Sequence, residues 1–150
     1  MRIVLQRVTE ASVMVDEVII SSIKKGFLVL LGIEETDGRE DVEWLTKKIA
    51  KMRVFDDDNG KMNLSLQDRG GEALVVSQFT LHASTKKGNR PSFIKAAHPE
   101  HAEPLYETFC EVLSQALDQP VGRGSFGAMM KISLVNDGPV TLCMDSKNRQ

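Results

Sequence analysis

The run Gly26-Phe27-Leu28-Val29-Leu30-Leu31-Gly32-Ile33, in a chain of 150 residues, decides the fold. It is apolar and bracketed by glycines, a pattern that predicts a short strand buried on both faces. Upstream, the segment from Ile3 to Val15 and the triplet Val18-Ile19-Ile20 are rich in β-branched residues. These segments predict two strands joined by a turn at Asp16-Glu17. The first part of the chain is therefore predicted to form a sheet.

Downstream of this run, the pattern changes from strand to helix and back. Apolar residues between 39 and 53 recur at helical spacing, which predicts an amphipathic helix with Thr36 or Asp37 as its N-cap. The Asn-Gly pair within residues 56–61 predicts a tight turn. Residues 73–80 predict a strand that becomes polar at its end.

The C-terminal half predicts one more helix and two more strands. Pro104 is predicted to lie at the start or in the first turn of the helix. Strands are predicted at 130–135 and 140–144, joined by Asn136-Asp137-Gly138-Pro139. We therefore predict one α+β domain over residues 1–150, with two main helices packed on a curved, barrel-like, antiparallel-rich sheet.

Composition and charge narrow the classes of function. The formal net charge is -2 and the pI is about 5.9, whereas a protein that grips long nucleic acid through its phosphates is normally basic. An enzyme that touches one end of an RNA through a local basic patch is still compatible with this charge. The chain has no apolar run long enough to span a membrane and no signal-peptide pattern, so we expect a cytoplasmic protein. Cys110 and Cys143 are predicted to be small core residues rather than a disulfide.

Familiar catalytic motifs are absent from the sequence. It contains no nucleophile elbow, no phosphate-binding loop and no dinucleotide fingerprint. His98 and His101 have a spacing that suits a metal, but no second cluster of ligands accompanies them. We therefore expect neither a metal site nor a cofactor.

Three parts of the chain carry side chains that a purely structural protein does not need. The first is the polar strand end Ser77–His82, and the second is the basic loop Lys86–Phe93. The third combines the glycine-rich segment 124–130 with residues 136–141. Each also has a structural interpretation: a strand that surfaces, a solvated loop, and a glycine turn followed by a hairpin.

Together these parts resemble the D-aminoacyl-tRNA deacylase family. Five fragments occur in the family's order and span nearly the whole chain: Met-Arg-Ile-Val-Leu-Gln-Arg-Val at 1–8, Ser-Gln-Phe-Thr-Leu at 77–81, Gly-Asn-Arg-Pro-Ser-Phe at 88–93, Phe-Gly-Ala-Met-Met at 126–130 and Asn-Asp-Gly-Pro-Val-Thr at 136–141. Residues 145–150 look like a polar tail and carry none of the resemblance.

The resemblance implies hydrolysis of the ester that joins a D-amino acid to the 3′ end of tRNA. It also implies hydrolysis of glycine mischarged onto tRNA, for example onto tRNA(Ala). It further implies a homodimer whose active site lies at the subunit interface, where Gln78-Phe79-Thr80 of one subunit meets Gly138-Pro139 of the other. In the family this Gly-Pro pair is a cis dipeptide that rejects L-amino acids.

The motifs and the resemblance together assign expected roles to twelve residues. The expected catalytic residues are Gln78, Phe79 and Thr80. Substrate-binding residues are expected to be Ser77, Phe126, Ala128, Met129, Gly138 and Pro139. The expected RNA-binding residues are Lys86, Lys87 and Arg90.

The chemistry itself has two possible forms at this stage. Backbone amides at Phe79 and Thr80 can stabilise an oxyanion, or the Thr80 hydroxyl can act as a nucleophile, although no base accompanies it in the motif. The family is thought to use the 2′-hydroxyl of the terminal ribose to activate water. Two other functions are compatible with the residues: a module that binds RNA ends without hydrolysis, and a structural or chaperone-like dimer.

Overall fold

β1 (Arg2–Val15) is the strand around which the sheet is organised, in a computed structural model that describes residues 1–150. Along one edge β1 pairs antiparallel with β2 (Val18–Ile23) and then with β3 (Gly26–Gly32). Along the other edge it pairs antiparallel with β8 (Lys131–Asp145). β2 and β3 thus lie end to end beside β1, which confirms the predicted N-terminal strands and the turn between β1 and β2.

The rest of the sheet is parallel and curves back toward β2. β3 pairs with β6 (Glu72–Ser77), and β6 pairs with β7 (Gly122–Arg123). A methyl group added to Gly122 would lie 2.6 Å from the Ser21 hydroxyl, so β7 also approaches β2 closely. The sheet is therefore mixed, richer in antiparallel pairs and nearly closed into a barrel, as predicted.

Three helices accompany the sheet: α1 (Arg39–Lys51), the short α2 (Leu66–Arg69) and α3 (Pro99–Leu117). A small hairpin of β4 (Phe55–Asp56) and β5 (Met62–Leu64) contains the predicted Asn-Gly turn. The two long helices bury Val42, Leu45, Ile49, Phe109 and Leu113 with the inner residues of β1, β3 and β6 in a core of 20 buried side chains. None of the helices has both the length and the apolar character required to cross a membrane.

The predicted start of α3 and the predicted N-cap of α1 were wrong. α3 begins at Pro99, not at Pro104, because Pro99 occupies a first-turn position where its missing N–H costs nothing. Gly38 is the N-cap of α1 instead of Thr36 or Asp37. The Asp37 carboxylate accepts from the Glu34 amide at 2.8 Å and from the amine of Met1 at 2.5 Å, so it is engaged elsewhere.

The two predicted C-terminal strands are one strand with a bulge. Thr141 pairs with Gln6 and Asn136 pairs with Val8, so both sides of the Asp137–Val140 segment follow the same neighbour in the same direction. A hairpin would reverse the chain, whereas a bulge inserts extra residues into one strand and leaves its direction unchanged. Residues 137–139 therefore project from the middle of β8 (the 137–139 bulge).

The C-terminal tail contributes to a buried polar cluster that the sequence did not predict. The α-amino group of Met1 donates to Asp37 and, at 3.0 Å, to the hydroxyl of Ser146. Ser146 in turn donates to Asp41 at 2.5 Å. We refer to Met1, Asp37, Asp41 and Ser146 as the amine corner. All four are buried.

The two cysteines differ from each other. Cys110 is buried as predicted, and burial raises the pKa of its thiol to about 11. Cys143 is exposed, contrary to the prediction, because its side chain lies on the outer face of β8. A strand-like pattern places alternate residues on opposite faces but does not say which face is the inner one.

Candidate active site

The polar end of β6 turns into a single 3₁₀ turn. β6 ends at Ser77, where the Gln78 amide makes the last ladder bond to the Leu31 carbonyl at 2.7 Å. Phe79–His82 form the 3₁₀ helix, in which the Leu81 amide is the first to find an acceptor, the Gln78 carbonyl at 3.2 Å. We call residues 78–82 the 78–82 turn. The predicted strand over residues 73–80 is thus three residues too long.

Two backbone donors of this turn have no acceptor in the protein. The amides of Phe79 and Thr80 precede the first hydrogen bond of the 3₁₀ helix and so have no acceptor within it. Both residues are exposed. The Phe79 ring is 56% exposed and packs edge-on against Phe93, with ring centroids 5.1 Å apart. Adjacent free amides of this kind can bind one anionic oxygen.

The hydroxyl of Thr80 is held by an amide rather than by a base. Gln78 Nε2 donates to Thr80 Oγ1. An amide does not accept a proton at neutral pH, so this contact fixes the hydroxyl without activating it. The geometry therefore favours the backbone of Thr80 over its side chain as the chemically useful group.

The glycine-rich segment lies beside this turn. Val75 of β6 pairs with Arg123 of β7, and the Gly124 amide donates to the Val75 carbonyl at 3.1 Å. The residues that follow Gly124 therefore run alongside the end of β6. In this segment Phe126 packs on Tyr106 with ring centroids 5.9 Å apart, whereas Met129 is 92% exposed. Ala128 is half-buried between them.

The 137–139 bulge is exposed, and the buried side chain of Arg7 binds its main chain. The Gly138–Pro139 bond is cis, as expected from the resemblance. Arg7 is only 7% exposed, and its Nε donates to the Asp137 carbonyl at 2.9 Å. Asn136 closes the bulge by accepting from the Val140 amide at 2.8 Å.

Gly138 is required by the geometry of the bulge itself. Its φ of +141° is a conformation that L side chains rarely adopt. A methyl group here would also lie 2.9 Å from the Val140 amide and 3.3 Å from the Arg7 guanidinium. Any larger residue at position 138 must therefore displace the bulge.

One protomer does not bring the two halves of the expected site together. Gly138 and Pro139 lie on β8, and three strand spacings separate β8 from β6 across β1 and β3. The two segments also lie at different positions along the strands. The bulge lies beside Arg7, whereas Ser77 pairs with Leu31, which in turn pairs with Ile3, about four residues from Arg7 along β1. With strands about 4.8 Å apart and about 3.3 Å per residue, the separation is on the order of 15–20 Å.

The basic residues form a loop of their own next to the 78–82 turn. Ser84 and Ser92 exchange backbone hydrogen bonds of 2.8 and 3.0 Å, which close the loop between them. Lys86, Lys87 and Arg90 lie within this loop and are exposed. The loop is thus a local positive patch in a chain whose net charge is negative.

Two residues near the site, Arg7 and His82, received no role from the sequence. Arg7 belongs to the quoted opening fragment but had no role assigned, since a buried arginine inside a strand gives no local signal of its partner. His82 lies at the end of the 78–82 turn. It is 2% exposed, and neither ring nitrogen has a hydrogen-bond partner, so it cannot reach a substrate at the surface of the turn.

Comparisons with known proteins show the family to which the chain belongs. Residues 4–145 match the family model described as D-Tyr-tRNA(Tyr) deacylase. A D-aminoacyl-tRNA deacylase of Bacteroides thetaiotaomicron is 63% identical over 150 residues, with both chains covered completely. One of Flavobacterium johnsoniae is 57% identical, again over both whole chains. A solved structure named c-Myc DNA Unwinding Element Binding Protein superposes with a TM-score of 0.91 and 42% identity, covering 97% of this chain and 98% of that one. The chain therefore belongs to the D-Tyr-tRNA(Tyr) deacylase family.

Proposed function

We propose that the protein hydrolyses the ester between a D-amino acid or glycine and the 3′ end of tRNA, at a site completed by a second copy of the chain. The observation that carries this proposal is the separation of Gln78–Thr80 from Gly138–Pro139 within one protomer, although each segment has exposed residues. If both contribute to one substrate site, as the family resemblance implies, they must come from different subunits. A C2 dimer repeats such a site twice.

Exposed apolar side chains near both halves support a dimer. Phe79 and Met129 are 56% and 92% exposed, and Val135, two residues before the bulge, is 49% exposed. Clustered apolar side chains on a protein surface are typical of interaction sites. Contact between these surfaces would bring the bulge of one subunit toward the 78–82 turn of the other.

In the proposed mechanism, the ester carbonyl oxygen accepts hydrogen bonds from the amides of Phe79 and Thr80. Water attacks the carbonyl carbon, and the negative charge that develops on this oxygen is stabilised by the same two amides. The bond to the ribose oxygen then breaks, which releases the amino acid and leaves a hydroxyl on the tRNA. The neighbouring 2′-hydroxyl of the substrate orients or activates the water, since the turn holds no base. Lys86, Lys87 and Arg90 contact phosphates of the acceptor end.

The second subunit supplies the selection for chirality. The main chain of Gly138 and Pro139 faces the α-carbon, where a D-amino acid presents its hydrogen and directs its side chain away. An L-amino acid would drive its side chain into this main-chain wall. Glycine has no side chain to exclude and is accepted. Ser77, Phe126, Ala128 and Met129 line the remainder of the pocket beside the turn.

The chirality proposal is tested with three matched substrates. We expect release of amino acid from D-tyrosyl-tRNA and glycyl-tRNA, and almost none from L-tyrosyl-tRNA. Equal turnover of the D- and L-esters would contradict the proposal. Replacing the terminal 2′-hydroxyl with hydrogen should slow hydrolysis strongly with little loss of binding, and an unchanged rate would rule out substrate assistance.

The shared site is tested by mixing two defective subunits. Phe79→Pro removes one of the two donors, and Gly138→Ala displaces the bulge; each homodimer should be almost inactive. A statistical mixture is half heterodimer, in which one site carries both defects and the other carries none. We therefore expect about a quarter of the wild-type activity to return on mixing. No recovery, in a mixture shown by mass spectrometry to contain heterodimers, would place the site within one subunit.

Substitution of Thr80 separates backbone from covalent catalysis. If the hydroxyl only accepts from Gln78, Thr80→Ala should reduce kcat modestly, because the Thr80 amide is retained. If the hydroxyl is a nucleophile, Thr80→Ala should abolish turnover while Thr80→Ser retains most of it. An acyl-enzyme trapped on Thr80 would overturn the backbone mechanism.

A further inference from the structure

A large cavity lies outside the site described so far. It has a volume of about 470 Å³ and is lined by Arg2, Trp44, Lys48, Leu81, Cys143 and Asp145, among others. Volumes of this size are typical of pockets for small organic groups. The geometry points to a subsite for the nucleotide that precedes the terminal adenosine of the tRNA: its base stacks on Trp44, and its phosphate binds Lys48 and Arg2.

The aromatic wall of this cavity is positioned for stacking. Trp44 is only partly buried, and its indole is approached by two cations. The Arg149 guanidinium carbon lies 4.7 Å from the ring centroid, and Lys48 Nζ lies 5.6 Å from it. A cationic side chain therefore already lies over the face of this indole. Stacking of bases on aromatic side chains, combined with a positive groove, is how proteins bind single-stranded nucleic acid.

The charges around the cavity suit a phosphate. Lys48 is exposed and makes no ion pair, so its ammonium is available to a ligand. Arg2 pairs with Asp145 at 2.9 Å but remains 43% exposed. Among the side chains that line the cavity, two cations thus face one carboxylate, in a chain whose total charge is -2. This local excess favours an anionic ligand over a neutral or cationic one.

The cavity is directly connected to the 78–82 turn. Leu81, the residue after Thr80, forms part of its wall. The Arg2 guanidinium, on the same wall, donates to the Leu81 carbonyl at 3.2 Å. A strand whose last nucleotide lies at Thr80 can therefore reach the cavity with the nucleotide before it. This inference rests on the proposed function, because it assumes that an RNA 3′ end occupies the turn.

Trp44 is the only tryptophan of the chain, so stacking can be observed directly. Titration of the wild-type protein with the trinucleotide cytidylyl-cytidylyl-adenosine should quench the tryptophan fluorescence, and cytidine monophosphate should do so only at much higher concentration. Lys48→Gln should weaken the quenching, whereas Lys47→Gln, which removes a neighbouring exposed lysine outside the cavity, should not. Unchanged fluorescence up to millimolar trinucleotide would overturn the inference. Equal affinity for the mononucleotide would show a site for free nucleotides instead.

Kinetics with long and short substrates provide the second test. For D-tyrosyl-tRNA we expect Trp44→Leu to raise KM about tenfold with kcat little changed, and Trp44→Phe to restore most of the loss. For D-tyrosyl-adenosine, which lacks the preceding nucleotide, neither substitution should matter. Lys48→Gln should also reduce the salt dependence of binding, by about 0.7 in the slope of log K against log salt. Equal losses on both substrates would show that Trp44 is merely structural.

These two tests separate the subsite from the proposed function. A wild-type protein that does not hydrolyse D-tyrosyl-tRNA would refute the proposed function, while the fluorescence titration would still decide whether the cavity binds RNA. Hydrolysis with no response of Trp44 to the trinucleotide would refute the subsite alone.

Discussion

The amine corner and the 78–82 turn lie close together, but polar groups are paired in the corner and unpaired in the turn. In the corner, the Met1 amine, the Asp37 carboxylate and the Ser146 hydroxyl are buried and bonded to one another. In the turn, Phe79 and Thr80 are exposed and their amides have no acceptor in the protein. Arg2 joins the two regions, since it follows Met1 in sequence and donates to the Leu81 carbonyl.

This difference separates stability from function. A buried polar group contributes to stability only when it is paired, because an unpaired one keeps its desolvation cost. Exposed donors such as the Phe79 amide remain hydrated and lose little by having no partner in the protein. The same donors are then available to a ligand. We therefore expect substitutions in the corner to alter mainly folding, and substitutions in the turn to alter mainly turnover.

The largest effect should come from Asp37→Asn in the corner. It leaves the buried Met1 amine without its counter-ion, and breaking a buried pair in this way costs about 3–5 kcal/mol. We expect the free energy of unfolding in urea to fall by that amount, while kcat per folded molecule stays within about twofold of wild type. Loss of kcat without loss of stability would contradict the division between the two regions.

The opposite result, a loss of kcat with little loss of stability, should come from Phe79→Pro in the turn. Proline removes the amide donor but is tolerated in the first turn of a helix. Loss of one oxyanion donor typically lowers kcat by about 10²–10³, and we expect the thermal midpoint to change by only a few degrees. Phe79→Ala is the matched control, because it removes the contact with Phe93 and retains the amide. Similar losses of kcat in both variants would show that the ring, not the amide, is needed.

Acid should weaken the corner before it affects the turn. Burial tends to raise the pKa of Asp41, but hydrogen bonds from Ser146 and the Gly38 amide, together with the Lys147 charge, hold this pKa below its usual value. Because the folded-state pKa is the lower one, Asp41 contributes stability above its unfolded pKa of about 3.9 and loses it as the pH falls through the folded value. Asp41→Asn should thus flatten the dependence of unfolding free energy on pH below about pH 4. An unchanged slope in urea titrations between pH 3 and pH 7 would contradict this.

The smallest effect should be a gain in stability at His82. Both ring nitrogens are buried without a partner, so an apolar side chain of similar size removes a desolvation cost. We expect His82→Leu to raise the free energy of unfolding by about 1 kcal/mol and to leave kcat nearly unchanged. His82→Asn, which keeps a buried polar group, should bring no gain. A large fall in kcat with His82→Leu would give the imidazole a role in the reaction.

Sequence periodicity was sufficient for the elements whose signal is local. The buried run at 26–33 and the helical spacing of Val42, Leu45 and Ile49 each reflect one face packed on a core, so β3 and α1 were predicted closely. Features that depend on pairing between distant parts of the chain were not predicted. The 137–139 bulge looks like a hairpin turn unless both of its flanks are known to pair with β1.

The candidate site shows the same limit. The motif residues Gln78, Phe79 and Thr80 are contiguous, and the resemblance identified them directly. Arg7 supports a bulge that lies 130 residues further along the chain, and no local pattern links the two. Ser146 was assigned to a polar tail, because nothing in its neighbourhood indicates that it bonds the amine of Met1. Long-range polar contacts are specific to the fold and leave no periodic trace in the sequence.

The 137–139 bulge also bears on solubility. β8 is 15 residues long and pairs with β1 along one edge only, so its other edge carries a row of unpaired amides and carbonyls. Such an edge is a template on which strands of other molecules can assemble into aggregates. The bulge interrupts this row midway, and Pro139 has no N–H to offer. The residues proposed to select D-amino acids therefore also divide the unpaired edge of β8 into two shorter segments. Each segment is a poorer template for aggregation than an uninterrupted strand.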